Sequence, residues 1–402
     1  MIRSLCFFAA TVLSAAAAAQ QPAILQPLAT KAGPAPAALH TGAAFYVPVT
    51  PETIRWGYLP NGASDPVLTV PSGSIVTFDT LSHEGLLEDQ GRDAVKFFGG
   101  FGVPAGGVLK DAEAITQSSL THDFVKDGPH IVLGPVEVAG AEPGDLLKID
   151  FLQFTPRVPY GVISTRHGKG ALPGEFPETP APDADASAAQ PEKFHNNSQF
   201  VPLKLVNGKL TAVFPTAQGK PVSFPANPFL GTVGVAPAAE GRTNSIPPSA
   251  FGGNLDIHSL VAGTTLYLPV QVKGAKLFVA DPHFAQGNGE VSLTAVEGSV
   301  RATMRLTVLK PGAPGYPSSK PIAGPFAETP DYWIAIGLDP DLNEAMKKAV
   351  RNAIDYLSLN HGMTRAEAMA YLSAATDFEV SQVVDRTKGV HALIRKKDFA
   401  GK

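Results

Sequence analysis

Cysteine is almost missing from this chain. The only one, Cys6, lies in an N-terminal apolar stretch. The rest of the protein therefore has no disulfide, no thiolate metal site and no cysteine nucleophile. Charge is sparse as well: Asp, Glu, Lys and Arg make up 17% of the residues and the net charge is −4. With no basic excess there is no electrostatic footprint for DNA or RNA. Tryptophan occurs twice, at Trp56 and Trp333, few for a groove that stacks sugars. Beyond the N-terminal segment no run of 18 apolar residues exists, so no membrane span is expected there.

What is plentiful is glycine and proline, 39 and 37 residues among 402. Both break helices and both serve tight turns. Hydrophobic residues reach 44%, enough for a real core and against disorder. At about 150 residues per domain, the chain should hold two or three lobes, mostly β. Met1–Ala19 has the form of a secretory signal: Arg3, an apolar stretch from Leu5 to Leu13, and Ala17-Ala18-Ala19 as a small-residue cleavage site. Export follows as an expectation, to the periplasm in a Gram-negative cell, with no membrane contact after cleavage. Residues 20–48 read as a flexible lead-in.

From residue 49 short β runs alternate with Gly/Pro turns. Residues 67–79 read as a hairpin around Ser72-Gly73. Ile131–Leu133, Val136–Val138 and 146–154 read as further strands. At 300–308 apolar Val300, Ala302, Met304, Leu306 and Val308 alternate with polar residues, the pattern of a strand with one buried and one wet face. Residues 173–198 and 310–330 are Pro-rich connectors. Then the pattern changes. After an apolar strand at 332–338, Leu342, Ala345, Met346, Ala349, Ala353, Ile354 and Leu357 recur at helical spacing, with Asp339 or Asp341 as cap and Gly362 as stop. Thr364 and Glu367 form a capping box for a second helix. Strands are expected again at 378–384 and 390–394.

Several chemistries are missing. There is no G-x-S-x-G elbow and no P-loop, and His83-Glu84 lacks the second histidine of a metalloprotease helix. Carboxylate and histidine chemistry remains. Two D-x-H units stand out, Asp256–His258 and Asp281–His283. In an extended strand, residues two apart share a face, so each unit sets a carboxylate beside an imidazole, a donor pair suited to a divalent metal. The second unit opens the run Asp281–Glu290, between strands expected at 275–280 and 291–296. Turn chemistry accounts for Gly287, Asn288 and Gly289. It does not account for Asp281, His283 and Glu290.

Gly134–Asp145, Gly252–Asp256, Gly263–Val270, Asp281–Glu290 and the tail 373–389 with its Gln382–Asp385 stretch together resemble the acetamidase/formamidase family over roughly residues 50–395. The resemblance implies a mostly β fold: a jelly-roll-like β-sandwich over 49–312, with a smaller C-terminal α/β portion, 313–402, packed on it. It also implies hydrolysis of short linear amides to a carboxylic acid and ammonia, with a bound divalent metal. The sequence departs from the family pattern at Glu137, Ala139, Ala280 and Asn288.

Amide hydrolysis needs a nucleophilic water, a stabiliser for the oxyanion and a proton for the leaving amine. Asp281 and His283 are the first metal-ligand candidates, with Asp256 and His83 beside them. Zinc is the first choice of metal and calcium the second. Glu290 is the candidate general base and acid, Glu137 the competing carboxylate, and Asn254 the group to hold the substrate carbonyl. The expected partners are a small amide and further copies of the same chain. The alternative reading is an exported, non-catalytic jelly-roll module that binds a carbohydrate or another small ligand.

Overall fold

The computed structural model describes residues 20–400. The signal-type segment Met1–Ala19, with Cys6, lies outside the described residues. Among the described residues two large sheets, of ten and eleven strands, carry the fold. Their inner faces share one apolar core. Phe78, Phe151 and Met304 enter it from the first sheet, and Val162, Val279 and Phe284 from the second, all at 1% exposure or less. Each such side chain contributes roughly 1.5–3 kcal/mol on burial. The fold is mostly β, as the turn-rich composition requires. No helix among the described residues is long and apolar enough to cross a membrane.

The ten-stranded sheet is built around Val300–Leu309, which pairs with Ser74–Asp79 on one side and Leu146–Pro156 on the other. Its alternation is as expected, but the second face is wet only toward its end. Arg301 is covered because it makes two bonds to Asp79, at 2.6 and 2.7 Å. Thr303 is covered because its hydroxyl meets that of Thr77 at 2.7 Å. Fully buried Arg157 joins the same network, 2.7 Å from Asp111 and 3.6 Å from Asp79.

Residues 67–79 do not form a hairpin. Leu68–Val70 pairs in parallel with Ile131–Val138 in the eleven-stranded sheet, while Ser74–Asp79 pairs in the ten-stranded one. The turn at Ser72-Gly73 carries the chain from one sheet to the other. The two runs expected at 131–133 and 136–138 are one strand, Ile131–Val138. Residues 20–48, expected to be a loose lead-in, lie pinned along the body. Leu25 exchanges backbone and side-chain bonds with Arg157, and Phe45–Val47 adds a parallel strand to Ser74–Asp79.

The C-terminal residues extend the ten-stranded sheet through Phe326–Glu328, Tyr332–Asp339, Lys388–Arg395 and Asp377–Gln382. Helix Leu342–His361 lies on these strands. The Asp341 carboxylate accepts from the Glu344 N–H at its start, and Gly362 ends it in the left-handed conformation. Gly337 lets helix and sheet approach: a Cβ there would lie 2.2 Å from the Ala345 carbonyl oxygen. The capping box of Thr364 and Glu367 opens the second helix, Arg365–Ala375.

Candidate active site

The site forms at one end of the eleven-stranded sheet, where Phe229–Val235 and Leu277–Ala285 run antiparallel and Val296–Glu297 pairs with the far end of the latter. His283 lies opposite both Phe229 and Glu297 in this ladder. Asp281 falls where Gly231 should pair with it, and the ladder skips that position. There the backbone of Asp281 turns left-handed, φ 55°. Asp256 and Glu290 are left-handed too, at 49° and 47°. A side chain in this region costs on the order of 1–3 kcal/mol and persists where neighbours over-determine it. At Asp256 the determinant is the Gly231 carbonyl, which accepts the N–H of Leu255 at 3.0 Å and of Asp256 at 3.2 Å.

Asp281 and His283 meet, with Oδ2 3.1 Å from Nε2. The other D-x-H unit separates. Asp256 reaches the cluster, 3.8 Å from His283 Nδ1. His258 turns away, with its Nδ1 at 2.9 Å from the Gln286 carbonyl. His83 comes in from the loop after Ser74–Asp79, 3.7 Å from Asp281 and 4.0 Å from Glu297. Four overlapping groups result: His83, His130 and Asp281; Asp256, Asp281 and His283; His283, Glu290 and Glu297; and Asp256, Glu290 and Asp385. Within each, the donor atoms lie within 4.8 Å of one another, and every residue is buried.

Glu290, Asp256, Asp281, His283 and His83 thus come together as expected, and Asn254 joins them on the pocket wall. The Asn254 amide oxygen accepts from the Thr232 hydroxyl, which leaves its N–H groups as the donors available to a ligand. Glu137 does not join. It is half-buried near the far end of Ile131–Val138, packed over Gly274, whose Cβ would lie 2.5 Å from its Cγ. Asn288 is exposed and donates to Glu379 at 2.6 Å, so the departure from the family pattern there falls outside the cluster.

His130, Glu297, Asp385 and Gly231 are members that sequence reasoning missed. His130 Nδ1 lies 2.9 Å from the Ser245 hydroxyl, and its Nε2 is 3.6 Å from Asp281. Glu297 is 3.0 Å from His283. Its only local signal is an acid among apolar residues at 295–300. Glu84 supports His83 at 3.3 Å and is itself held by Arg166 at 3.1 Å and the Ser164 hydroxyl at 2.5 Å.

The electrostatics follow from five buried carboxyls around three imidazoles. Burial and the charge of Asp281 push Asp256 up to about 7. Burial, with Asp256 and Asp385 nearby, pushes Glu290 well above the usual carboxylate range. Burial and Asp256 do the same to Asp385, and Glu297 rises to about 6 through burial. At Asp281 burial is outweighed by His283, His130 and His83, which hold it low. Burial opposes the charged form of His283 and His83, but the surrounding carboxylates win and raise both. At His130 burial prevails and lowers it to about 4.

The residues fit a divalent cation. Both ring nitrogens of His83, both carboxylate oxygens of Asp256, Nε2 of His283 and Oε2 of Glu297 are buried without a well-directed hydrogen bond. Buried polar atoms are rarely left so. Imidazole nitrogens with carboxylate oxygens are a zinc donor set, and the surplus of oxygens also suits calcium. Gly231 keeps the centre open: a Cβ there would lie 2.3 Å from Asp256 Oδ1 and 2.7 Å from Asp281 Oδ2. The cluster floors a pocket of about 380 Å³ that His83, Asn254, Asp281, Glu290 and Glu297 help to line.

A second polar line lies nearby. Ser381 Oγ is 2.7 Å from His391 Nδ1, and His391 Nε2 is 3.5 Å from Glu379. Ser381 and His391 are both fully buried, so a serine nucleophile has no access to substrate there. The serine's backbone instead holds the Glu290 loop, since its carbonyl accepts from Gly289 N–H at 3.0 Å and Gln286 Nε2 at 3.2 Å.

Residues 238–395 match the model of the Acetamidase/Formamidase family. The formamidase of Methylophilus methylotrophus is 30% identical over 130 residues, 29% of this chain. That match spans only 32% of the formamidase's own length. Acetamidase structures from Bacillus halodurans and Yersinia enterocolitica both align with a TM-score of 0.65, at 24% and 23% identity. They cover 88% and 87% of this chain and 98% and 90% of their own. At that identity the likeness is one of fold. The segment matched to the family model carries Asn254, Asp256, Asp281, His283, Glu290, Glu297 and Asp385, most of the buried cluster, so the similarity to the Acetamidase/Formamidase family lies over the site itself.

Proposed function

We propose that the pocket hydrolyses short linear amides to a carboxylic acid and ammonia, with a divalent metal, zinc first, held by Asp281, His283, Asp256 and His83. The observation that carries this reading is the set of buried, unpartnered nitrogen and oxygen donors on the floor of a pocket of ligand size. The match of residues 238–395 to the Acetamidase/Formamidase family model supports the reaction class.

When bound, the metal would acidify water and polarise the amide carbonyl. The protein's own residues do the rest. Asn254 donates an N–H to the amide oxygen, whose charge grows as water adds to the carbonyl carbon. Glu290 takes a proton from that water and returns it to the nitrogen as the C–N bond breaks, so ammonia leaves and the acid stays. The Glu290 carboxyl would be drawn back down by a cation held by Asp281, His283 and Asp256. Gln286 fixes the His283 ring through Nδ1 at 3.0 Å and ties it to the Asp256 carbonyl at 2.9 Å. Second partners of this kind orient ligating imidazoles.

Against the carbohydrate-binding reading stand the two tryptophans. Trp56 is buried, stacked on His122, and Trp333 packs against Tyr356 and His361. Neither offers a face to the pocket.

The test is ammonia release from a panel of amides, with and without chelator. Turnover abolished by chelation and restored by zinc is expected. Glu290→Gln should lower kcat by at least about 10²-fold, while Glu137→Gln, away from the cluster, leaves it unchanged. Full turnover in Glu290→Gln with loss in Glu297→Gln would pass the acid–base role to Glu297.

A further inference from the structure

The pocket is larger than a four-atom amide requires. At about 380 Å³ it falls in the range that holds ligands of ten or more heavy atoms. Its lining carries both signs of charge. Asp281, Glu290, Glu297 and Asp385 belong to the buried acidic cluster, whereas Lys169, Arg386 and Lys388 line the same pocket.

These three cations come from both sides of the Glu290 loop. Residues 168–171 flank it on one side, where Ala171 N–H meets the Val291 carbonyl at 2.9 Å. Residues 381–388 flank it on the other, where Val383 N–H meets the Gly289 carbonyl at 3.2 Å. Lys388 Nζ lies 3.5 Å from the Arg386 carbonyl. Lys169 is exposed, as is Arg386, which is held left-handed at φ 65°. Among the described residues none of the three makes an ion pair. Two carboxylates outside the acidic cluster are already taken: Asp127 by Arg242 at 2.6 Å and Asp89 by Arg166 at 2.6 Å.

We propose that the pocket selects amides whose acyl chain ends in a carboxylate, held by Lys169, Arg386 and Lys388 while the amide group reaches the acidic cluster. This rests on the amidase reading and names its substrate class. A neutral acyl chain leaves three cations with no anion to meet. A carboxylate at its end forms charge-assisted hydrogen bonds, stronger than neutral ones, and is steered in by their positive charge. The carbonyl-to-carboxylate span is then the measure of the substrate.

The test compares kcat/KM for the monoamides of succinic, glutaric and adipic acid with butanamide, pentanamide and hexanamide, using the full chain supplied with zinc. One monoamide should exceed its neutral counterpart by about tenfold or more, the worth of one charge-assisted hydrogen bond. That ratio should fall with added salt and collapse in Lys169→Gln/Arg386→Gln. Neutral amides turned over as well as the monoamides, or a ratio unmoved in the double variant and in Lys388→Gln, would overturn the proposal and leave the amidase reading intact. If no amide is hydrolysed, the amidase reading fails. Calorimetry with the monoamide of glutaric acid and with pentanamide then decides: equal binding of the two overturns the anion site, and tighter monoamide binding lost in the double variant supports it.

Discussion

Gly231→Ala tests the site without touching a ligand candidate. The backbone of Gly231 is not in the left-handed region, so alanine suffers no conformational penalty there. The whole effect comes from one methyl group. Its carbon would lie 2.3 Å from Asp256 Oδ1, 2.7 Å from Asp281 Oδ2 and 2.9 Å from His283 Cε1. Contacts so short require several of these groups to move, and all three residues are buried. Overpacking of this kind costs about 1–3 kcal/mol in stability. A misplacement of about 1 Å can cost on the order of 10²-fold in rate. Zinc affinity, measured by competition with a chromophoric chelator, should therefore fall about 10- to 100-fold, the range seen when groups that orient ligands are disturbed. Ammonia release should fall by about 10²-fold.

The control is Gly234→Ala on the same strand, where the methyl carbon would meet Phe278 Cζ at 2.3 Å and Gly253 N at 2.8 Å. It should lose comparable stability in urea yet keep its zinc affinity. Wild-type zinc affinity in Gly231→Ala, or equal loss in both variants, would refute the placement of the metal beside Gly231.

The metal-free protein should be more stable in urea at pH 5 than at pH 8. Asp256, Glu290, Glu297 and Asp385 are raised in the fold, so the stability they contribute is complete below their unfolded values near 4 and is lost as pH rises through about 6 to 7. His283 and His83, also raised, act in the same direction, while His130, lowered to about 4, opposes it. Zinc should reverse the trend and release protons on binding at pH 6, read in a weakly buffered titration; pH-independent affinity would contradict the raised carboxyls. Asp79→Ala should cost about 3–5 kcal/mol, because it leaves Arg301 without its carboxylate and Arg157 with Asp111 alone; a loss under about 1 kcal/mol in urea would show the network to be dispensable. Exported protein should begin near Gln20, and an intact mass that includes Met1 and Arg3 would refute the signal reading.

Much of the fold is legible in local spacing because its causes are local. The alternation at 300–308 and the apolar recurrence at 342–357, with Asp341 and Gly362 at the ends, depend only on period and on caps. Residues 67–79 failed because an apolar run, a turn and a second apolar run look the same whether the strands pair or part into two sheets. Strict alternation failed at Asp256 for a related reason. The strand Gly252–Asn254 ends before that residue, so the rule that residues two apart share a face does not apply, and His258 leaves the site. His130, Glu297 and Asp385 carry no spacing signal, since what gathers them is tertiary pairing across more than 250 residues.

That dispersal explains the architecture of the site. Like charges held this close repel, so no single segment can present all five carboxyls from its own backbone geometry. The fold delivers them separately, Asp281 from the unpaired position in the central strand, Glu297 from the strand opposite His283, and Asp256, Glu290 and Asp385 from loops. Each is fixed from outside the cluster. The Gly231 carbonyl holds Asp256, and the Ser381 carbonyl holds the loop of Glu290. The Gln382 side-chain oxygen accepts the N–H of Asp385 at 3.1 Å. Because Ser381 and Gln382 belong to the C-terminal hairpin, the acid–base residue depends on the last strands of the chain. Loosening that hairpin, by removing the His391 partner of Ser381 for example, should act on Glu290 while leaving Asp281 and His283, set in the central strand, where they are.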